Sequence, residues 1–213
     1  MIALIDYGIS NLRSVQKAFE HLDTEVTLVD TPDRLAQADR LILPGVGAFP
    51  AGMRGLQERG LIEPIKQAAR EGKPLIGICL GMQLLFEASD EMGETQGLGL
   101  LPGQVTKIQD ARSKKQEAGS SPQSVLKIPH MGWNQLEVVR DHPLVRDLVS
   151  GTYAYFVHSY AIYPEDQSIV LATTEYGGPF ASIVGRGKIY GLQFHPEKSQ
   201  AVGLKLLRNF LSL

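Results

Sequence analysis

The chain has 213 residues, 43% apolar and 21% charged, which suits one globular domain (residues 1–213) with a substantial core. Its net charge of −2 lacks the basic excess of a nucleic-acid binder, and its single cysteine excludes an internal disulfide. No apolar run approaches the roughly 20 residues of a membrane span, and Met1–Asp6 lacks the basic n-region of a signal peptide, so a cytoplasmic protein is expected.

Ile2 to Ile5 predicts a buried first strand. The loop Asp6–Asn11 follows, then a helix with Leu12, Val15, Phe19 and Leu22 on one face. Glu25 to Val29 and Arg40 to Leu43 predict strands two and three. This rhythm predicts an α/β fold: an open, mostly parallel, doubly wound sheet with flanking helices. Chemistry in such sheets sits at the C-terminal strand ends, so the loops after Ile5, Leu43 and Ile78 are the candidates. The loop after Leu43 is Pro44-Gly-Val-Gly-Ala-Phe-Pro50. A dinucleotide fingerprint is excluded, because Pro50 stands where the third glycine is required. The residues alone leave two readings, a simple turn or a set of N–H groups that face a nucleophile across the strand ends.

Leu75 to Ile78 is an apolar run of strand length, and Gly77-Ile-Cys79-Leu-Gly81 follows as the thiol version of a nucleophile elbow. A side chain displayed on a tight strand-to-helix turn needs small neighbours where backbones crowd. A helix is expected through Leu84, Leu85 and Phe86, its N-terminus favouring thiolate over thiol. The Leu80 N–H, free of a helical partner, could bind an oxyanion. A lone cysteine is otherwise a small buried hydrophobe, so a base and an acid elsewhere decide between the readings.

Gly93 to Gly103 is a glycine-rich connection, and Gln104 to Ile108 predicts a strand. Residues 110–124 are polar and are expected to form a mobile surface loop. A β-rich portion follows, with strands expected at Gln135–Val138, Tyr153–Val157, Ile169–Thr174, Phe180–Val184 and Ile189–Gln193. The last helix is expected to pack through Leu204, Leu207, Phe210 and Leu211.

His195-Pro196-Glu197 stands at the end of the last strand. Alternation puts both side chains on one face, where the carboxylate fixes one imidazole nitrogen and leaves the other as a base. His130 and His158 fit either a site lining or polar packing, and no Cys/His cluster has zinc spacing. No metal or cofactor is expected.

The elbow Gly77–Gln83, the loop Pro44–Phe49 and the pair His195-Pro-Glu197 together resemble the class I (triad) glutamine amidotransferases. Asp6-Tyr-Gly-x-x-Asn-Leu-x-Ser14, His130-Met-Gly-Trp-Asn134, Tyr155-Phe-Val-His-Ser-Tyr160 and His195-Pro-Glu-Lys-Ser199 narrow it. They resemble the glutaminase subunits of imidazole glycerol phosphate synthase, of histidine biosynthesis, nearly end to end. Two departures stand out: Ser10 replaces a glycine common in that family, and the 110–124 stretch is longer than usual.

The resemblance implies that Cys79 attacks the side-chain amide carbon of glutamine, His195 moves the proton and Glu197 orients His195. It implies an oxyanion hole at Leu80, Val46 and Gly47, and glutamine contacts at Gly45, Gly47, Gln83, His158, Ser159 and Tyr160. It also implies a partner, a (β/α)₈-barrel cyclase subunit in a heterodimer, with Asn11, Trp133 and Lys198 as candidates for the facing surface. Trp133 alone fits a core or an interface equally. The rival readings are an amidotransferase subunit for anthranilate, guanylate or pyridoxal phosphate synthesis, a cysteine hydrolase of other amides, and an inactive regulatory subunit.

Overall fold

The computed structural model describes residues 1–108 and 126–213. The loop expected at 110–124 lies outside the described residues. In chain order the elements are β1 (Ile2–Ile5), α1 (Leu12–Glu20), β2 (Thr27–Val29), α2 (Pro32–Ala36), β3 (Arg40–Gly45), α3 (Phe49–Glu58), α4 (Ile62–Arg70), β4 (Leu75–Cys79) and α5 (Leu80–Leu84). There follow β5 (Ala88–Ser89), β6 (Thr95–Gln96), β7 (Gly103–Lys107), β8 (His130–Val138), β9 (Thr152–His158), β10 (Tyr160–Pro164), β11 (Val170–Glu175), β12 (Pro179–Arg186), β13 (Ile189–Leu192) and α6 (Gln200–Leu211).

Among the described residues the main sheet runs β2-β1-β3-β4-β13-β12-β11-β8-β9. The half from β2 to β13 is parallel, as the strand–helix rhythm requires. The added β-rich portion continues the same sheet in antiparallel order from β13 to β9. A smaller sheet, β10-β7-β5-β6, stands beside it. The connection from β9 to β10 therefore crosses from one sheet to the other within His158-Ser159-Tyr160.

Both faces of the parallel half are buried, and alternate strand residues feed two cores. Ala3, Ile5, Leu41 and Leu43 pack with Phe49 and Leu56 of α3 and Ile65 of α4. Leu4, Ile42, Ile76 and Ile78 pack with Val15 and Phe19 of α1 and Leu206, Leu207 and Phe210 of α6. Each fully buried Leu, Ile, Val or Phe among them contributes about 1.5–3 kcal/mol. No helix among the described residues is long and apolar enough to cross a membrane.

Three local expectations need correction. α5 stops at Leu84, because the segment Gly97–Leu101 takes the carbonyls that a longer helix would use: Leu98 N–H donates to Leu84 O at 2.8 Å and Leu100 N–H to Leu85 O at 2.8 Å. The buried face of α6 is Gly203, Leu206, Leu207 and Phe210, with Leu204 and Leu211 only partly covered. The glycine-rich connection after residue 93 contains β6, which pairs with β5.

Candidate active site

The elbow is built by exclusion. A Cβ on Gly81 would stand 1.7 Å from the Leu43 carbonyl, and one on Gly77 would stand 2.6 Å from the Gly81 carbonyl. Only glycine lets β4 turn into α5 so closely against β3. Cys79 sits at the turn with φ 54° and ψ −113°. Such a conformation costs a non-glycine residue on the order of 1–3 kcal/mol and persists only where its surroundings enforce it. The result aims the Cys79 sulfur, 6% exposed as a residue, into a cavity of about 340 Å³.

That cavity is lined by Val46, Gly47, Cys79, Leu80, Gln83, Glu91, Pro129, Val157, His158, Ser159, Tyr160 and His195. The parallel register explains the convergence. Gly45 of β3 lies opposite Cys79, and Leu192 of β13 lies opposite Ile78, so the chain leaving β13 reaches the same strand ends. Glutamine-sized polar ligands suit a cavity of this scale, roughly 300–1,000 Å³.

His195 and Glu197 meet, though not by strand alternation. β13 ends at Leu192, and a 3₁₀ turn over Pro196–Lys198 brings the Glu197 carboxylate back to His195. His195 Nδ1 lies 2.8 Å from Glu197 Oε1, and the two side chains are 3% and 1% exposed. Ser199 locks the turn: its hydroxyl donates to the His195 carbonyl at 2.7 Å and accepts from Tyr155 N–H at 3.0 Å. Burial alone would lower the His195 pKa, but the Cys79 sulfur and the Glu197 carboxylate outweigh burial and raise it to about 10. His195 Nε2 is buried without a hydrogen-bond partner.

The loop after β3 is less constrained than the elbow. Tyr7 donates from its hydroxyl to the Pro44 carbonyl at 2.7 Å, and burial pushes its pKa above the ordinary range. Gly45 is buried beneath the cavity, where a Cβ would stand 2.2 Å from the Tyr7 oxygen, so it shapes the loop without lining the pocket. Gly47 has φ +97° and open space around it. Val46 donates its N–H to the Ile9 carbonyl at 3.2 Å, away from any oxyanion. Leu80 opens α5, and its N–H lies outside the helical ladder. With only five residues, α5 has a short dipole, so the environment of Cys79 is set chiefly by the strained turn and His195.

Gln83 donates from Nε2 to the Tyr160 carbonyl and to Gln193 Oε1, both at 3.1 Å. The His158 ring is buried and turned to Tyr160 O and His130, so His158 offers the cavity its backbone rather than a free imidazole. Glu91 was not anticipated from the sequence. The short β5–β6 hairpin delivers it to the cavity, where Oε2 accepts from Phe49 N–H at 2.7 Å. Of the surface candidates, Trp133 and Lys198 share one aromatic ring. Trp133 is 47% exposed and meets Tyr155 edge-on at 6.0 Å, while Lys198 Nζ lies 5.6 Å over the same ring. Asn11 stands at the start of α1, after β1, partly exposed.

The model of the class-I glutamine amidotransferase family matches residues 3–213. The chain is 50% identical over 210 residues to "Imidazole glycerol phosphate synthase subunit HisH" of Syntrophotalea carbinolica, covering 99% of this chain and 98% of that one. It is 51% identical over 213 residues to the protein of the same name in Salinibacter ruber, covering 100% and 94%. Among solved structures, one described as a glutamine amidotransferase superposes with TM-score 0.73 at 21% identity, covering 100% of this chain and 98% of that one. PurLQS from Thermotoga maritima gives 0.71 at 22%, covering 99% and 97%. These last likenesses speak for the fold, whereas the sequence matches reach nearly end to end, and together they show that the chain belongs to the class-I glutamine amidotransferase family, on the branch of the HisH subunits.

Proposed function

We propose that this chain is the glutaminase subunit of an imidazole glycerol phosphate synthase, acting in histidine biosynthesis through Cys79, His195 and Glu197. The observation that carries the reading is a strained cysteine in a cavity shared with a buried imidazole whose far nitrogen is held by a buried carboxylate. Cys79 attacks the side-chain amide carbon of glutamine, its proton passing to His195, whose raised pKa favours holding it. His195 then protonates the leaving ammonia. Water hydrolyses the glutamyl thioester to glutamate, with His195 taking the proton from that water. Glu197 keeps the imidazole oriented through both steps.

Glutamine recognition needs a carboxylate for its ammonium and donors for its own carboxylate. Glu91 suits the first and the Gly47 and Ser159–Tyr160 backbone suits the second, while Gln83, whose two Nε2 protons are engaged, turns only its Oε1 acceptor to a ligand. The oxyanion site is half made: Leu80 N–H is in position, but Val46 N–H is engaged by Ile9. A reorientation of the Gly45–Val46 peptide, which breaks the bond to Ile9, supplies the second donor. This coupling suits a subunit that releases ammonia only when its partner is ready for it. Ammonia passes to a (β/α)₈-barrel cyclase subunit that forms imidazole glycerol phosphate and aminoimidazole carboxamide ribonucleotide. Asn11, Trp133 and Lys198 face that partner in a heterodimer. The family match over 3–213 supports one domain, and a reactive lone thiol suits the reducing cytoplasm.

The test is Cys79→Ala assayed with the cyclase. Glutamine-dependent synthesis is expected to fall by a factor on the order of 10⁴ or more, while synthesis from added ammonium salts stays near wild type. A variant that still hydrolysed glutamine at the wild-type rate would remove the assignment.

A further inference from the structure

A hydrogen-bonded chain leads from the cavity to the outer strands through two imidazoles. The Tyr160 carbonyl can only accept, and it lies 2.8 Å from His158 Nδ1. His158 Nδ1 therefore carries the proton, and its Nε2 accepts. His130 Nδ1 lies 2.9 Å from that Nε2, so it donates, and His130 Nε2 accepts in turn from Asn134 Nδ2 at 3.1 Å. The second Asn134 Nδ2 proton goes to the Glu175 carbonyl at 3.0 Å, and Asn134 Oδ1 accepts from Gln135 N–H at 2.8 Å. Every donor meets an acceptor in this one assignment, and flipping any member sets two like groups against each other. Burial holds both imidazoles neutral, with pKa values lowered to about 4 at His130 and about 3 at His158.

The strand register and the rings keep the chain in place. His130 pairs with His158 across β8 and β9. The His130 ring stacks on Tyr176 at 3.9 Å and Phe156 at 4.9 Å. The far end of the chain is the Tyr160 carbonyl at the start of β10, and the same carbonyl also receives Gln83 Nε2–H. Gln193, which accepts from Gln83, places its own Nε2 3.9 Å from the Cys79 sulfur.

We propose that His130, held by Asn134, is a positioning residue that joins the Tyr160 carbonyl in locking His158 in the Nδ1–H tautomer, and so holds that carbonyl, in the Tyr160–Ala161 peptide, next to the Ser159–Tyr160 backbone that receives glutamine. It touches neither substrate nor the reacting atoms, and its effect falls on glutamine binding rather than on the chemical step. The proposal rests on the glutaminase reading of the same cavity.

The test compares wild type with His130→Phe, which keeps the stacked ring and deletes both nitrogens. The full chain with its cyclase is assayed for glutamate release, and histidine tautomers are read from proton–nitrogen correlation spectra of isotope-labelled protein. Wild type is expected to show Nδ1–H at both rings. The variant is expected to raise KM for glutamine about 5- to 10-fold with kcat within twofold, and to show mixed tautomers at His158. An unchanged KM, or a raised KM with His158 still in a single Nδ1–H form, overturns the proposal. If His130→Phe does not fold, Asn134→Leu replaces it, with a smaller rise in KM and mixed tautomers at His130 expected; no change in either overturns the proposal. A wild-type complex that released no glutamate would remove the glutaminase reading instead, and mixed His158 tautomers in wild type would then overturn the relay by themselves.

Discussion

The elbow around Cys79 and the loop around Val46 end neighbouring parallel strands, yet they are held in opposite ways. The elbow has no room to move: Gly77 and Gly81 are enclosed by backbone, and Cys79 is forced to a positive φ. Beyond the buried Gly45, the loop has Gly47 in open space, and one 3.2 Å bond from Val46 to Ile9 sets its orientation. In the proposed mechanism a rigid nucleophile and an adjustable oxyanion donor thus share one cavity. The attacking group is then organised in advance, and the loop is where a partner's signal acts.

The sharpest way to break this contrast is Gly81→Ala. Its Cβ would stand 1.7 Å from the Leu43 carbonyl, so β3 and the elbow cannot both keep their places. Loss of the folded state, or a destabilisation of roughly 3 kcal/mol or more, is expected in thermal melts, with no reaction of Cys79 toward a glutamine analogue. Glu197→Gln is expected to lower kcat roughly 10²- to 10⁴-fold with the fold intact. It also tests the charge balance. His195 has its pKa raised from 6.5 to about 10, so the stability it contributes is fully present below pH 6.5 and is lost as pH rises through about 10. In the variant that alkaline loss is expected to begin at lower pH, which melts across the pH range would report.

On the adjustable side, Gly47→Ala meets no atoms but must hold φ +97°. A cost of about 1–2 kcal/mol is expected, with Cys79 labelling retained and activation by the partner reduced. An effect as large as that of Gly81→Ala would erase the contrast. The smallest effect on stability is expected from Trp133→Ala, whose side chain is 47% exposed: within about 0.5 kcal/mol in the isolated chain, with weakened binding of the cyclase in titration.

What could be read in the sequence follows the same division. G-x-C-x-G is local chemistry, and its glycines are dictated by contacts that any such turn makes. The His195–Glu197 pair was legible because the two residues are near neighbours, although a 3₁₀ turn and Ser199, not strand alternation, bring them together. The end of α5 was hidden because remote N–H groups at Leu98 and Leu100 terminate it. Glu91 and the His130–His158 contact depend on a hairpin and on cross-strand register, which periodicity does not encode. Trp133 could not be assigned to core or surface by its type alone, and its exposure and its contact with Tyr155 decide the matter.

The most direct test of the division between a fixed nucleophile and an adjustable oxyanion loop is glutamate release from glutamine, measured for this chain alone and with the barrel cyclase plus its nucleotide ligand. The account predicts a low rate alone, rising steeply only with both, while a glutamine analogue labels Cys79 in either case. A full rate from the isolated chain would contradict it, because the Gly45–Val46 peptide would then need no signal to complete the site.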